Sequence, residues 1–343
     1  MIRKTHRSML FLYSLAHFCV DFACAFLMFC YIAGTPEGYL YVLLYNFCAF
    51  GLQMPLGVIA DKLNRNFLLA VVGCAVTASA FGLVYIVPMG AVLAAGCGNA
   101  MFHIGGGIDV LNLSEANPAP LGVFVSPGAF GVYFGTIFGK QSDLPVTLIL
   151  AALAVSALSI SALRKVQKGY PANAAFSLEG AKAGGAVAAA VCLFFVVCMR
   201  SYIGLALNFP WKGEGRLGMM LICAAVFGKV LGGFAAGRFG AVKISVISLG
   251  IAALLFLFAQ IPPMGIFAVL LFNMTMPVTL WAMAKILPGA KGFAFGMLTF
   301  GLFLGFLPVY LGVGVLPDSS LSFALLTAVS LGVIWVGLRR AKL

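Results

Sequence analysis

The sequence predicts an all-α polytopic membrane protein, with twelve transmembrane helices in two pseudo-symmetric six-helix bundles. Three observations carry this. The 343 residues are 63% hydrophobic and 9% charged, too apolar for a soluble globule, which needs a charged surface. Apolar runs of about 18 residues or more, long enough to cross a bilayer, recur along the chain. The basic residues gather at the ends of these runs, on alternate sides.

The runs place spans at 8–33, 39–60, 67–87, 89–112, 121–139, 144–163, 184–208, 215–237, 241–260, 265–287, 291–314 and 320–338. Arg3, Lys4 and Arg7 precede the first run, which is too long for the apolar core of a signal peptide and reads as a retained helix. None of the runs shows the ten-residue alternation of a membrane barrel. With the N-terminus in the cytosol, all but five of the 21 lysines and arginines fall on the cytosolic side. Lys140, Lys212 and Arg216 fall outside, and Arg200 and Lys229 lie within spans. This asymmetry sets both termini in the cytosol. The polar, basic stretch 164–183 divides the spans equally, giving bundles 1–163 and 184–343 joined by a cytosolic linker. Two equal halves point to an internal duplication.

Composition also excludes functions. The net charge of +12 forms no basic stripe, so topology explains it better than a nucleic-acid partner does. The nine cysteines all lie in apolar runs without a CxxC pair and read as packing thiols. The sequence has no HExxH, GxSxG or Walker motif, so neither an enzyme nor an ATP-driven pump is expected. Three histidines, one of them in the N-terminal tail, do not readily build a metal site. No metal and no cofactor is expected.

After the second span the chain reads Gly57-xxx-Asp61-Lys62-xx-Arg65, and after the eighth Gly233-xxx-Gly237-Arg238-x-Gly240-xx-Lys243. The two loops correspond, with glycine in the second where the first has aspartate. They resemble the G-x-x-x-D-R/K-x-G-R/K-R/K motif of the major facilitator superfamily of transporters, with Asn64 in place of the second glycine. Gly122-xxx-Ser126-Pro127-Gly128-Ala-Phe130-Gly131 resembles the fifth-span motif of its proton-coupled antiporters, with Ser126 and Phe130 replacing glycines. Asn99-Ala-Met-Phe102-His103-Ile-Gly105 and Gly228-Lys229-Val-Leu-Gly232-Gly233 are similar to fosmidomycin-resistance-type drug:proton exporters, without the Pro-Glu-Gly that follows the histidine there. The resemblance implies two bundles rocking about a central cavity. It also implies a cytosolic gate at Gly57, Asp61 and Arg65, with Asp61 at helix ends of the second bundle and Arg65 paired with Asp109.

Polar residues within the spans are the site candidates, because an ionised group in lipid costs several kcal/mol unless paired or hydrated. His17 and Asp21 lie four apart on one helix face, as a proton site or as a structural pair. His103 is a site residue or a packing histidine, and Gly105, Gly106 and Gly107 after it allow either close helix approach or a bend. Asp109 is a gate latch, a substrate or proton contact, or a solvated acid. Arg200 anchors an anion or bridges to a carboxylate such as Asp21. Lys229 snorkels, lines the cavity or packs. In the tenth span Pro277 breaks or kinks the helix.

The reading that unites these is a monomeric secondary transporter in the cytoplasmic membrane, moving a small anionic solute with proton coupling. Protons would use His17, Asp21 and His103, the anion would use Arg200 and Lys229, and export by antiport is slightly favoured. The alternative is a transport-inactive relative acting as a membrane sensor or assembly partner, motivated by the missing motif glycines.

Overall fold

The computed structural model describes residues 2–166, 174–179, 184–317 and 319–343. Most of the expected linker, 164–183, lies outside them, Lys168 and Lys182 included. All regular structure among the described residues is helical. The order is α1 (Ile2–Leu27), α2 (Gly38–Asn46), α3 (Gln53–Leu63), α4 (Asn66–Leu83), α5 (Pro88–Leu113), α6 (Ala119–Val125), α7 (Pro127–Gln141) and α8 (Val146–Val166). Then follow α9 (Ala186–Ala206), α10 (Leu217–Phe239), α11 (Ala241–Phe256), α12 (Pro262–Asn273), α13 (Thr275–Ile286), α14 (Lys291–Leu311) and α15 (Ser320–Arg340). Ten helical segments among the described residues are long and apolar enough to cross a membrane. Two shorter apolar helices, Val146–Ala162 and Ala241–Phe256, stand at the expected sixth and ninth spans.

Prolines set several of the breaks. A proline nitrogen cannot donate to the carbonyl four residues back, and its ring crowds that carbonyl. Pro277 accordingly separates α12 from α13 at Met274. Pro127 separates α6 from α7 at Ser126. Pro55 follows a π-helical turn, Phe47–Gly51, that joins α2 to α3. Such widened turns re-aim the side chains beyond them.

The chain divides into two compact units. One comprises Met1–Leu113, Pro127–Phe176 and Ala290–Gly296; the other comprises Ser114–Ser126, Ser177–Gly289 and Met297–Leu343. In the first unit α7 lies on α1 through a row of glycines four apart. A Cβ on Gly131, Gly135 or Gly139 would meet the carbonyls of Phe18, Phe22 or Phe26 respectively. Without a hydrophobic drive between helices in lipid, this close backbone approach supplies the packing. Gly105 lies on α4 at Asn66 and Ala70, and Gly107 lies under the Phe295 ring. Helix α5 runs unbroken through 105–107. These glycines therefore serve close approach and not a bend. In the second unit Gly228 and Gly232 of α10 lie against Leu270 and Met274.

Candidate functional site

Two helices of the first unit face each other along a polar seam. On α1, Tyr13, His17 and Asp21 recur every four residues and so share one face. On α5, Asn99, His103 and Asp109 face them in the opposite order, so the helices run antiparallel. Tyr13 Oη donates to Asp109 Oδ2 at 2.6 Å. His17 Nε2 and His103 Nε2 are 2.9 Å apart, and Asn99 Nδ2 donates to Asp21 Oδ1 at 2.9 Å. The Asp21 carboxylate also lies 3.1 Å from His17 Nε2 and 3.6 Å from His103 Nε2. His17 and His103 are buried, and the Asp21 side chain is 13% exposed.

The proton positions follow from the acceptors. His103 Nδ1 lies 2.9 Å from the carbonyl oxygen of Asn99. A carbonyl only accepts, so Nδ1 carries the hydrogen and Nε2 of the neutral ring holds a lone pair. The His17 Nε2–H then donates to His103 Nε2 while also facing Asp21. Asn99 thus orients His103 with its backbone and Asp21 with its side chain. Gly128 of α7 completes the site. A Cβ there would stand 2.5 Å from Asp21 Oδ2 and closer still to His17 Nε2. The expectation that so few histidines build no metal-binding geometry meets a different arrangement. One ligand atom each from His17, Asp21 and His103 lies within 4.8 Å of the other two. Helix packing assembles from two spans what sequence spacing on one span does not show.

Two of the expected gate residues, Gly57 and Asp61, meet the start of α14. Asp61 is buried and accepts hydrogen bonds from the backbone N–H groups of Gly292 and Phe293, each at 2.8 Å. These are among the N–H groups a helix start leaves without an intrahelical acceptor, and a carboxylate also complements the positive end of the helix dipole. Gly57 permits the approach: a Cβ on it would collide with the Gly292 backbone. Lys291 Nζ donates to Asn112 Oδ1 at 2.8 Å. The pair expected between Arg65 and Asp109 is not formed. Arg65 is exposed. Asp109 is fully buried and accepts from Asn66 Nδ2 at 2.9 Å as well as from Tyr13. Asn64 in left-handed backbone ends α3 just before Arg65, and the arginine side chain leaves the packed seam there.

Arg200 belongs to the second unit. It is buried on α9, with Nη1 3.3 Å from Thr279 Oγ1. It lines a cavity of about 260 Å³ with Lys212, Asn273, Phe272, Ile203 and Leu221 among the walls. Among the described residues lining it there is no acid. The cavity wall is held from the loop after α9. Trp211 Nε1 donates to Ala259 O at 2.9 Å, and its ring stacks on Phe209 at 4.6 Å. Both rings rest on Gly265, where a Cβ would strike them. Lys229 is not among the lining residues. Its Nζ reaches Val125 O at 3.4 Å, at the C-terminal end of α6, where a cation suits the helix dipole.

Hence His17, Asp21 and His103 come together, Gly57 and Asp61 come together at α14, and Arg200 stands apart from Lys229. Sequence reasoning missed Asn99, although its spacing of four from His103 marks the shared face. It also missed Lys212, read only as a topological charge.

No family model matches the sequence, and no curated protein matches it. Solved structures do resemble it in shape. The Escherichia coli fucose:proton symporter FucP superposes with a TM-score of 0.71 at 15% identity, over 98% of each chain. The human organic anion transporter MFSD10 gives 0.65 at 15% identity, over 96% of this chain and 99% of that one. A bacterial homologue of the iron transporter ferroportin gives 0.61 at 15% identity, over 98% of each. The chain therefore has the fold of the major facilitator superfamily transporters.

Proposed function

We propose that the chain is a secondary active transporter that moves a small anionic organic solute by alternating access of two bundles, 1–163 and 184–343. The observation that carries this is Arg200. A guanidinium keeps its charge in proteins, and its fork matches a carboxylate or phosphate. Here it is buried, hydrogen-bonded to a neutral threonine, and directed to a cavity whose other ionisable wall residue is Lys212. Burying a charge without an opposite partner is costly, and an anionic solute removes that cost. The cavity, about 260 Å³, falls just below the roughly 300–1,000 Å³ of drug-sized sites, so the solute is small.

In this reading Asp21, His17 and His103 carry the coupling protons. Gly57 and Asp61 form the cytosolic gate by holding the first turn of α14, and Asp109 stiffens the seam behind it. The fold neighbours named as a proton symporter and as an organic anion transporter support a proton-coupled carrier of this kind. The fifth-span motif favours export by antiport, and the symporter shows that the fold serves the other direction of coupling too. The protein works as a monomer in the cytoplasmic membrane, with both termini in the cytosol and twelve spans.

The test is a thermal-shift screen of the purified protein against small carboxylates, phosphates and their neutral analogues, because a ligand of the native state raises the unfolding midpoint. Stabilisation by a group of related anions is expected. Stabilisation by neutral compounds alone would overturn the anionic assignment. No stabilisation by any solute would favour the transport-inactive alternative.

A further inference from the structure

The seam between α1 and α5 has a second chemical capacity, which concerns the same side chains as the proton reading but does not depend on transport. Two imidazoles and one carboxylate point their ligand atoms at one spot from two helices. Their separations are 2.9 Å, 3.1 Å and 3.6 Å. Ligand atoms each about 2.1 Å from one ion stand roughly 3.0–3.4 Å apart for angles between a right angle and the tetrahedral value. These contacts, two of them to different oxygens of Asp21, lie close to that range, and one ligand atom from each residue lies within 4.8 Å of the other two.

Two of the three ligands are also held as a metal site requires. A ligating imidazole needs its other nitrogen to donate, which fixes the tautomer and leaves the lone pair for the ion. His103 does this through Nδ1 and the Asn99 carbonyl. A ligating carboxylate is held by a hydrogen bond of its own, and Asp21 has one from the Asn99 side chain. On the remaining side, Gly128 has no Cβ where one would press against Asp21 Oδ2 and His17 Nε2.

We propose that His17, Asp21 and His103 form a binding site for a divalent first-row transition-metal ion. Imidazole and carboxylate together suit iron(II), cobalt(II), nickel(II) and zinc(II), whereas magnesium and calcium prefer oxygen ligands throughout. On binding, the hydrogen on His17 Nε2 moves through solvent to Nδ1 of the same ring, so that Nε2 offers the ion a lone pair and the ring stays neutral. A bound ion and a hydrogen on His17 Nε2 therefore exclude each other.

The experiment titrates the purified, tag-free, full-length protein with cobalt(II), following its visible absorption, and with zinc(II) by calorimetry. One ion per chain is expected, with nitrogen–oxygen coordination in the cobalt spectrum and no competition from excess magnesium or calcium. His103→Gln and His17→Gln should each weaken binding at least roughly tenfold, and Asn99→Ala roughly 10–100-fold. His6→Gln, in the N-terminal segment, should leave it unchanged. Monodispersity and the metal-free unfolding midpoint identify the variants that are folded, and a folded one of the two histidine variants suffices. Unchanged affinity in a folded variant, loss of affinity on His6→Gln, or displacement by magnesium would overturn the proposal. None of these results alters stabilisation by anions, so the two readings fail separately.

Discussion

His17 and His103, from helices far apart in the chain, bring their Nε2 atoms to 2.9 Å. The two nitrogens are within hydrogen-bond distance beside the Asp21 carboxylate, and the chain has only three histidines. In the proposed coupling, this contact responds when the carboxylate gains or loses a proton. Asp21→Asn keeps the shape and removes that response. In proteoliposomes it should lower pH-gradient-driven flux at least tenfold and leave solute counterflow largely intact. Driven flux equal to wild type would remove Asp21 from coupling.

Gly128→Ala should disturb the same site from the opposite side. The added Cβ would lie 2.5 Å from Asp21 Oδ2, and relief requires α7 or the side chains to move. Overpacking of this kind costs about 1–3 kcal/mol. The unfolding midpoint should fall and driven flux should be lost. Gly90→Ala, where a Cβ meets only Val87 at 3.5 Å, should cost neither. Equal behaviour of the two variants would mean that the close approach at Gly128 does not matter.

Asp61→Ala removes both acceptors from the first turn of α14. Losing a helix cap costs about 0.5–2 kcal/mol, and here the acceptor is charged and buried. The unfolding midpoint should fall, and thiol labelling of a Lys291→Cys reporter should accelerate in the Asp61→Ala background. Unchanged labelling would show that Asp61 does not hold that turn.

Arg65 and Asp109 should separate cleanly. Asp109 is fully buried and accepts from Tyr13 and Asn66, so Asp109→Ala removes the acceptor of two buried hydrogen bonds and should lower the unfolding midpoint. Arg65→Ala removes an exposed side chain and should leave the unfolding midpoint unchanged. A matching loss in both variants would restore the expected ion pair.

How much of this was legible in the sequence follows from the kind of information each feature needs. Span positions and the break at Pro277 are local, set by apolar runs and by a missing N–H. The pairing of His17 with Asp21 is also local, a matter of helical spacing. Their meeting with His103 and Asn99 is not, because it depends on which helix faces which and in what register. The pairing of Arg65 with Asp109 was expected by family resemblance. In this structure Asp109 accepts from Tyr13, an apolar-looking aromatic in the first span, and from Asn66. Lys212 lies in a loop, where charge reads as topology. Only the docking of Trp211 on Ala259 and Gly265 shows why that loop borders the Arg200 cavity.

The central claim is that Arg200 holds an anion, and calorimetric affinity in paired variants tests it most directly. The anion that stabilises the wild-type protein most, and its neutral amide analogue, would be titrated into wild type and Arg200→Gln. A charge-assisted hydrogen bond contributes about 1.5–3 kcal/mol, so the anion should bind the variant at least roughly tenfold more weakly while the neutral analogue changes little. Equal loss for both ligands, or no loss for the anion, would contradict the account.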